Sequence, residues 1–392
     1  MKRALLFGFL AILPLTAIIT AHRHVFSSSG ELAEQDRGPV ASAIQASQRV
    51  VFLLQYLATD YERAVQNGQI IDSLEYGEMQ RFVGQAIKIY QATAGAQSQT
   101  LNKLRQLERL IATRAALPEI RRICDETIAI LVKEKKLPVG PQRTLSIDYG
   151  RGLFQEHCTP CHGLLGAGDG PAADTLNPKP RDFTDPERMN VCTPWQFYQA
   201  ITFGVESTAM PSFSEALDPR VRWNLAFYLM TLRRDFQPVA PATPQKLTLQ
   251  ELATKSNADL ADVLLSRNHL TRADSSLSLK HLVDYHRQNP PELTMDDYMT
   301  IAETGIKRSW AAYQRADSNY AVQLIHEAYW DGFEFMEGEL LRKTCLAFEH
   351  AFREYLACIE EKAPPKKAQV PIKAMFKILQ QIRNRQGLQS SQ

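Results

Sequence analysis

Two cysteines and a histidine form the most specific chemical motif in the chain, Cys158-Thr159-Pro160-Cys161-His162. Two thiols at this spacing can add to the two vinyl groups of a haem, and the histidine that follows then falls under the iron as its proximal ligand. A zinc site would need two further Cys or His ligands at suitable spacing, and a thiol-redox motif would need a βαβ context. The sequence offers neither, so we predict one covalent haem c bound by Cys158, Cys161 and His162.

A sixth iron ligand must come from further along the chain. Met210 lies in a polar segment that ends in Pro211, between two helical patterns, where a methionine is a poor core residue. Met189 and Met230 are the weaker candidates, since the first adjoins Arg188 and the second lies on an apolar helical face. Ligation by His162 and Met210 would close both axial positions and raise the reduction potential, which favours electron transfer over oxygen or peroxide chemistry.

The residues after His162 also suit a haem pocket. Several glycines follow directly, and Arg181 comes after Pro178 and Pro180. A carbonyl of such a proline loop can orient the histidine N–H, and an arginine there can pair with a haem propionate. The alternative for Arg181 is a solvated surface residue.

Composition limits the class of protein. The chain has 392 residues, 44% of them hydrophobic, with a net charge of +2, so we expect two to three globular domains and no strongly basic nucleic-acid binder. Only one apolar run, 4–21, approaches the length of a membrane-spanning helix, which excludes a polytopic membrane protein. That run follows Lys2-Arg3, which predicts a signal peptide or N-terminal anchor over 1–21 and export to the periplasm.

The other four cysteines are scattered at Cys124, Cys192, Cys345 and Cys358. An oxidising compartment permits disulfides among them, but the sequence does not select a pairing. If Cys345 and Cys358 share one helix, they lie roughly 20 Å apart and cannot bond each other.

Helical periodicity on both sides of the haem motif predicts a mostly α protein, a cytochrome domain flanked by helical-bundle segments. Breaker clusters at Pro138–Pro141 and a proline-rich stretch after Gln237 separate the segments. The predicted segments are 1–21, the signal or anchor; 38–137, the N-terminal helical region; 142–235, the cytochrome domain; 236–247, a linker; 248–362, the C-terminal helical region; and 363–392, an amphipathic tail.

The haem region resembles the class I cytochromes c. Gly150 and Phe154 precede the first haem cysteine where that family packs its first helix, and Leu225 and Tyr228 resemble the facing positions of its last helix. The resemblance implies a small helical domain in which these two helices cross.

Two blocks of carboxylates flank this domain. One holds Asp60-Tyr61 and Glu75-Tyr76-Gly77-Glu78-Met79, and the other runs from Glu327 to Glu337. At 100° per residue, Glu327, Asp331 and Glu334 would fall within about 60° of one another on one helix, with Glu337 at the margin. Clustered carboxylates supply the oxygen ligands that iron binds, but the carboxylates of a solvated acidic helix face have the same spacing. The Glu-x-x-His signature of di-iron bundles does not occur.

Taken in order, these blocks and the haem motif resemble the periplasmic portion of bacterial cytochrome c–iron permease fusion proteins. The resemblance implies electron transfer coupled to Fe(II) oxidation or uptake, with Asp331, Glu334 and Glu337 as an iron site. The permease and its Arg-Glu-x-x-Glu motifs do not occur before Gln392. We therefore expect a separate membrane iron permease as partner, and an electron carrier with ferroxidase-like behaviour in place of a true enzyme.

Two other functions stay open. A respiratory cytochrome c could use the helices to dock a redox partner, and its carboxylates would then form a charge patch that binds no iron tightly. Alternatively, the helices could form a metal carrier or adaptor, with metal binding indifferent to the redox state of the haem. Charge balance and motifs indicate no nucleic-acid partner for any of the three.

Overall fold

The computed structural model describes residues 39–93, 98–206, 208–241, 247–268 and 276–387. The chain divides into two units, Met1–Arg37 and Gly38–Gln392, and the fold described here belongs to the second. It is 70% helical, with 16 α-helices and only two short strands within the described ranges, which confirms the predicted mostly α class. The predicted signal peptide or anchor over 1–21 lies outside the described residues.

The first four helices form a ring in which α1 packs against α2 and α4, and α3 packs between α2 and α4. Their apolar residues recur at helical spacing, and Leu54, Leu57 and Tyr61 of the first helix are completely buried. A two-residue antiparallel hairpin follows the first helix. The elements of this N-terminal bundle are α1 (Pro39–Ala64), β1 (Val65–Gln66), β2 (Gln69–Ile70), α2 (Ser73–Thr93), α3 (Gln99–Ala112) and α4 (Leu117–Lys135).

The predicted cytochrome domain, called the cytochrome region below, is built from short helices around one close helix crossing. Its elements are α5 (Ile147–His157), α6 (Thr159–His162), a 3₁₀ turn (Ala173–Thr175), α7 (Pro186–Asn190), α8 (Pro194–Phe203) and α9 (Pro219–Leu229). A Cβ atom on Gly150 would lie 2.2 Å from the carbonyl oxygen of Asn224, so only glycine lets α5 and α9 approach this closely. The Phe154 and Tyr228 rings are 5.6 Å apart. The predicted crossing of the first and last helices is confirmed.

Three helices after the cytochrome region share its hydrophobic core, which extends along the chain from Val50 to Val283. They are α10 (Leu249–Thr254), α11 (Asn257–Asn268) and α12 (Ser276–Gln288). This part of the segment 248–362 therefore packs with the cytochrome region, whereas the helices that follow have a core of their own.

The last four helices form a second ring, in which each helix packs against two others. Their core runs from Met299 to Ile382. The predicted amphipathic tail is helix α16, whose Ile372, Met375 and Leu379 are buried in this core. The elements of this C-terminal bundle are α13 (Met295–Gln314), α14 (Ser318–Trp330), a 3₁₀ helix (Phe333–Glu339), α15 (Arg342–Glu360) and α16 (Pro365–Gln386).

No helix in the described ranges has both the length and the apolar character that crossing a bilayer requires. All six cysteines lie in the described ranges, and none is in a disulfide. Cys345 and Cys358 both belong to helix α15 and are not bonded to each other, as predicted.

Candidate haem site and carboxylate clusters

The histidine of the motif is fixed by a backbone carbonyl. Cys158 lies between α5 and the one-turn helix α6, whose last residue is His162. The Nδ1 atom of His162 is 3.1 Å from the carbonyl oxygen of Arg181. Because a carbonyl oxygen can only accept a hydrogen bond, Nδ1 carries the proton, and Nε2 is the nitrogen available to iron. Burial lowers the pKa of His162, which favours the neutral ring that a metal ligand needs.

A glycine-rich loop wraps back over the motif and brings Arg181 to this position. The amide N–H of Gly168 donates to the carbonyl of His162 at 2.9 Å, and that of Gly170 donates to the carbonyl of Cys161 at 3.1 Å. A Cβ atom on Gly168 would lie 2.5 Å from the carbonyl oxygen of Pro180, and its φ is +76°. Only glycine permits this path without strain.

Met210 lies in the loop after α8, with its backbone held from both sides. The N–H of Val205 donates to the Met210 carbonyl at 3.1 Å, and the N–H of Met210 donates to Oγ1 of Thr208 at 3.1 Å. Met210 is half-buried and lines a cavity of about 190 Å³. Met189 and Met230, the weaker candidates, are completely buried core residues.

These observations fit a covalent haem c. The thiols of Cys158 and Cys161 are unbonded, and the ring of His162 is held through Nδ1. Met210 lines a cavity whose lining does not include these three residues. The assignment of Cys158, Cys161, His162 and Met210 as haem ligands stays a prediction.

The side chain of Arg181 points to the N-terminal bundle. Its Nη2 donates to Oδ2 of Asp60 at 2.8 Å, and its Nη1 donates to Sγ of Cys192 at 3.3 Å. Burial opposes a charge on Arg181, but the neighbouring Asp60 carboxylate outweighs it and raises the pKa of the guanidinium. Asp60 is 1% exposed, and Arg188 is also within 3.9 Å of it. The pairing of Arg181 with a haem propionate stays a prediction.

The second carboxylate block does not lie on one continuous helix. Helix α14 ends at Trp330, Asp331 is its C-cap, and the chain continues as the 3₁₀ helix from Phe333. The predicted arrangement on one helix face was therefore wrong. The chain leaves the helix at Asp331 and Gly332, and Gly332 packs against α13: a Cβ atom there would lie 2.7 Å from the backbone nitrogen of Ala302, so only glycine fits this approach.

Asp331 is paired with the cytochrome region. It is 6% exposed, accepts a 2.7 Å hydrogen bond from Nε of Arg143 and lies 3.7 Å from Nη1 of Arg220. Arg143 also stacks over the ring of Phe335, 5.2 Å from its centre. Asp331 therefore attaches the C-terminal bundle to the cytochrome region.

The two glutamates that follow are closer to solvent. Glu337 accepts a 2.9 Å hydrogen bond from the Tyr329 hydroxyl. Partial burial, together with the charges of Glu337 and Glu349, raises the pKa of Glu334. Burial also raises the pKa of Glu327, which accepts a hydrogen bond from Gln323 at 2.8 Å. Within the ranges that the structure covers, no three His, Cys, Asp or Glu side chains meet in a metal-binding arrangement. The iron site at Asp331, Glu334 and Glu337 stays a prediction.

Sequence reasoning singled out Asp60, Asp331 and Arg181, but it did not pair Asp60 with Arg181 and did not identify Arg143 and Arg220 as the partners of Asp331. Asp60 and Arg181 are 121 residues apart in the chain, and Arg143 and Asp331 are 188 apart. No local spacing rule connects positions so distant.

Comparison with known proteins gives two family matches. Residues 40–129 match the iron permease-associated 4-helix bundle domain, and residues 146–229 match the cytochrome c oxidase, cbb3-type, subunit III family. No curated protein matches the chain. Among solved structures, one similar chain comes from the reducing HAO-like protein complex of Kuenenia stuttgartiensis. It is 28% identical over 30% of this chain and 61% of its own length, with a TM-score of 0.24. The match thus spans less than two thirds of that chain.

A four-helix bundle domain and a cytochrome c domain are therefore present in one chain. This confirms the predicted resemblance to a fusion of a cytochrome c with helical segments. A cytochrome domain of this type implies covalently bound haem c, and the residues around His162 fit it.

Proposed function

We propose that this protein is a periplasmic monohaem c-type cytochrome that transfers electrons in the oxidation and uptake of iron. One observation carries the proposal: His162 follows two unbonded cysteines and is oriented through Nδ1 by the Arg181 carbonyl. In this assignment Cys158 and Cys161 would attach the haem, and His162 and Met210 would ligate its iron. The bound group would supply one-electron redox chemistry, which matches the one electron that each Fe(II) loses on becoming Fe(III), and a redox partner would take that electron away.

The coupling to iron is supported by the bundle and by the carboxylates. The N-terminal bundle is similar to an iron permease-associated domain, so we propose that a separate membrane permease receives the Fe(III). Glu334 and Glu337 lie close enough for one to affect the pKa of the other. Because Asp331 is already paired with Arg143 and Arg220, we expect the two glutamates to provide most of the affinity for Fe(II).

The haem assignment is tested by haem content. We expect the exported full-length protein to bind one haem per chain, measured as the pyridine haemochrome against protein concentration. Cys158→Ala and Cys161→Ala should weaken covalent attachment, and His162→Ala should abolish the low-spin spectrum. A wild-type protein that folds in a strain competent for haem attachment yet contains no haem would contradict the proposal.

The iron coupling is tested by mixing the oxidised holoprotein with anaerobic Fe(II) and following the haem α-band by stopped flow. We expect fast, saturable reduction that slows at least tenfold in the Glu334→Gln/Glu337→Gln variant. The control variant, Glu108→Gln/Glu119→Gln, removes two exposed carboxylates from the N-terminal bundle and should behave as wild type. Slow reduction unaffected by the first variant would contradict the iron coupling while leaving the haem assignment intact.

A respiratory role is the second candidate, favoured by the match of residues 146–229 to an oxidase subunit family. In that role the helices dock a redox partner, and Fe(II) reduces the haem no faster than an unrelated c-type cytochrome of similar potential. A metal carrier or adaptor would instead bind iron equally well in both haem redox states, which equilibrium binding to the reduced and oxidised protein distinguishes.

A further inference from the structure

One face of helix α1 is turned to the cytochrome region along three helical turns. Arg49, Phe52, Tyr56 and Asp60 recur at intervals of three or four residues, so they lie on the same side of the helix. Arg49 and Asp60 are ~16 Å apart along its axis. The contacts of this face reach both loops that carry the predicted axial ligands of the haem.

At its C-terminal end, the face contacts the histidine side of the site. Asp60 binds the guanidinium of Arg181 at 2.8 Å, and the carbonyl of the same Arg181 accepts the Nδ1 proton of His162 at 3.1 Å. The side chains of Asp60 and Arg181 are 2% and 20% exposed, so this ion pair is shielded from solvent. One residue therefore separates the bundle carboxylate from the predicted iron ligand.

At its N-terminal end, the face contacts the methionine side. Nη2 of Arg49 is 3.0 Å from Oε2 of Glu206, in the loop that leads to Met210. Phe52 and Tyr56 line the same cavity as Met210.

Between the two ends, helix α8 is bound to α1 by side-chain amides. Nε2 of Gln196 donates to the carbonyl oxygen of Gln55 at 3.0 Å and also to Oγ1 of Thr59. Nε2 of Gln199 donates to Oε1 of Gln55 at 3.4 Å. These buried or half-buried bonds fix the part of α1 around Gln55 and Thr59 against helix α8 of the cytochrome region.

We propose that the N-terminal bundle is part of the haem environment, and that Asp60 is a positioning residue that acts through Arg181 on His162 and sets the reduction potential. This inference rests on the proposed ligation of haem by His162. It adds to that function a site in the bundle which controls how readily the haem accepts an electron.

The sign of the effect follows from the charges. Without the Asp60 carboxylate, the guanidinium of Arg181 is a buried cation with no carboxylate partner, on the residue whose carbonyl holds His162. A cation near a haem would favour its reduced form, because reduction removes positive charge. A less firmly held Arg181 also weakens the Nδ1 bond of His162, which lowers electron donation to oxidised iron. Replacement of the Arg181 side chain keeps the main-chain carbonyl that accepts from His162 but leaves the Asp60 carboxylate with only Arg188, 3.9 Å away, and this excess negative charge acts in the opposite direction.

The test is the midpoint potential of the full-length holoprotein, obtained by redox titration of the α-band. We expect Asp60→Asn to shift the reduction equilibrium about fivefold towards the reduced state, about 40 mV at 59 mV per tenfold. Arg181→Gln should lower the potential, and Asp60→Asn/Arg181→Gln should return it towards wild type. Glu62→Gln, which removes an exposed carboxylate from the same helix, is the matched control.

A second readout follows the histidine itself. In the NMR spectrum of the oxidised protein, the hyperfine-shifted His162 resonances should move in Asp60→Asn and stay in place in Glu62→Gln. If the Asp60→Asn protein does not fold, the Arg181→Gln protein still tests the proposal. A midpoint potential that rises or stays unchanged in Arg181→Gln overturns it. A folded Asp60→Asn protein with wild-type potential and His162 resonances overturns it as well. A wild-type protein without haem would instead refute the proposed function.

Discussion

Both helical bundles are attached to the cytochrome region by an ion pair of a buried aspartate, but only one of the two ion pairs involves a residue that contacts His162. Each bundle contributes one buried aspartate, Asp60 in α1 and Asp331 after α14, and each aspartate pairs with arginines of the cytochrome region. The partner of Asp60 holds His162 with its own carbonyl. Among the described contacts, the partners of Asp331 bind only residues outside the haem motif.

The hydrophobic cores of the two bundles also differ in how closely they are joined to the cytochrome region. The N-terminal bundle shares one hydrophobic core with the cytochrome region, whereas the C-terminal bundle has its own. Asp60 and Arg181 are nearly enclosed, but Arg143 and Arg220 keep about a third of their side-chain surface exposed. The first bundle is therefore packed into one core with the cytochrome region, and the second is attached to that region with a core of its own. A permease or redox partner that binds the first bundle would therefore act on the haem more directly.

The largest effect is expected from breaking the enclosed ion pair. Asp60→Ala leaves the Arg181 cation buried without a carboxylate to balance its charge, which should lower the free energy of unfolding by about 3–5 kcal/mol. Urea denaturation followed by the haem absorbance measures it. The exposed control, Glu62→Ala, should change the stability by less than about 0.5 kcal/mol. Equal effects of the two variants would show that the pair is not enclosed in solution.

A smaller, local effect is expected within the C-terminal bundle. A Cβ atom on Gly305 would lie 2.5 Å from that of Ala328, so Gly305→Val forces α13 and α14 apart and should cost about 3 kcal/mol. Because this bundle has its own core, part of the helical circular dichroism should melt earlier while the haem transition keeps its midpoint. Gly338→Val, where no atom lies within 4 Å of the added Cβ, is the control. A haem transition that shifts with Gly305→Val would contradict the separation of the cores.

The smallest effect is expected from the second aspartate. Asp331→Ala removes the hydrogen bond from Arg143, but both arginines can turn to solvent, so the loss should be about 1–2 kcal/mol. The same urea denaturation measures it. If Asp331→Ala lowered the free energy of unfolding as much as Asp60→Ala does, the proposed difference between the two attachments would be contradicted.

Local chemistry made part of this structure predictable. Cys158, Cys161 and His162 are adjacent in sequence, and helical periodicity is repeated over many residues, so neither needs a distant contact to be recognised. Gly150 and Phe154 could be assigned from their fixed offset to the motif, and the crossing with Tyr228 was confirmed.

The attachments were not predictable for a physical reason. Asp60 and Asp331 were identified as carboxylates next to aromatic residues, and that pattern suits a metal ligand and an ion pair equally well. Their arginine partners come from distant parts of the chain, and only tertiary packing brings them together. The turn at Gly332 was missed because a glycine within a helical pattern does not reveal that a neighbouring backbone fills its place.

The most direct test of this account is a pair of redox titrations, Asp60→Asn beside Asp331→Asn, on the full-length holoprotein at one ionic strength. Both substitutions remove one buried carboxylate that pairs with arginine, one in each bundle, and the Asp331 pair is the more exposed of the two. We predict a higher potential for Asp60→Asn, by about fivefold in the reduction equilibrium, and the wild-type potential for Asp331→Asn. Equal shifts, or a shift in Asp331→Asn alone, would contradict the claim that only the N-terminal bundle belongs to the haem environment.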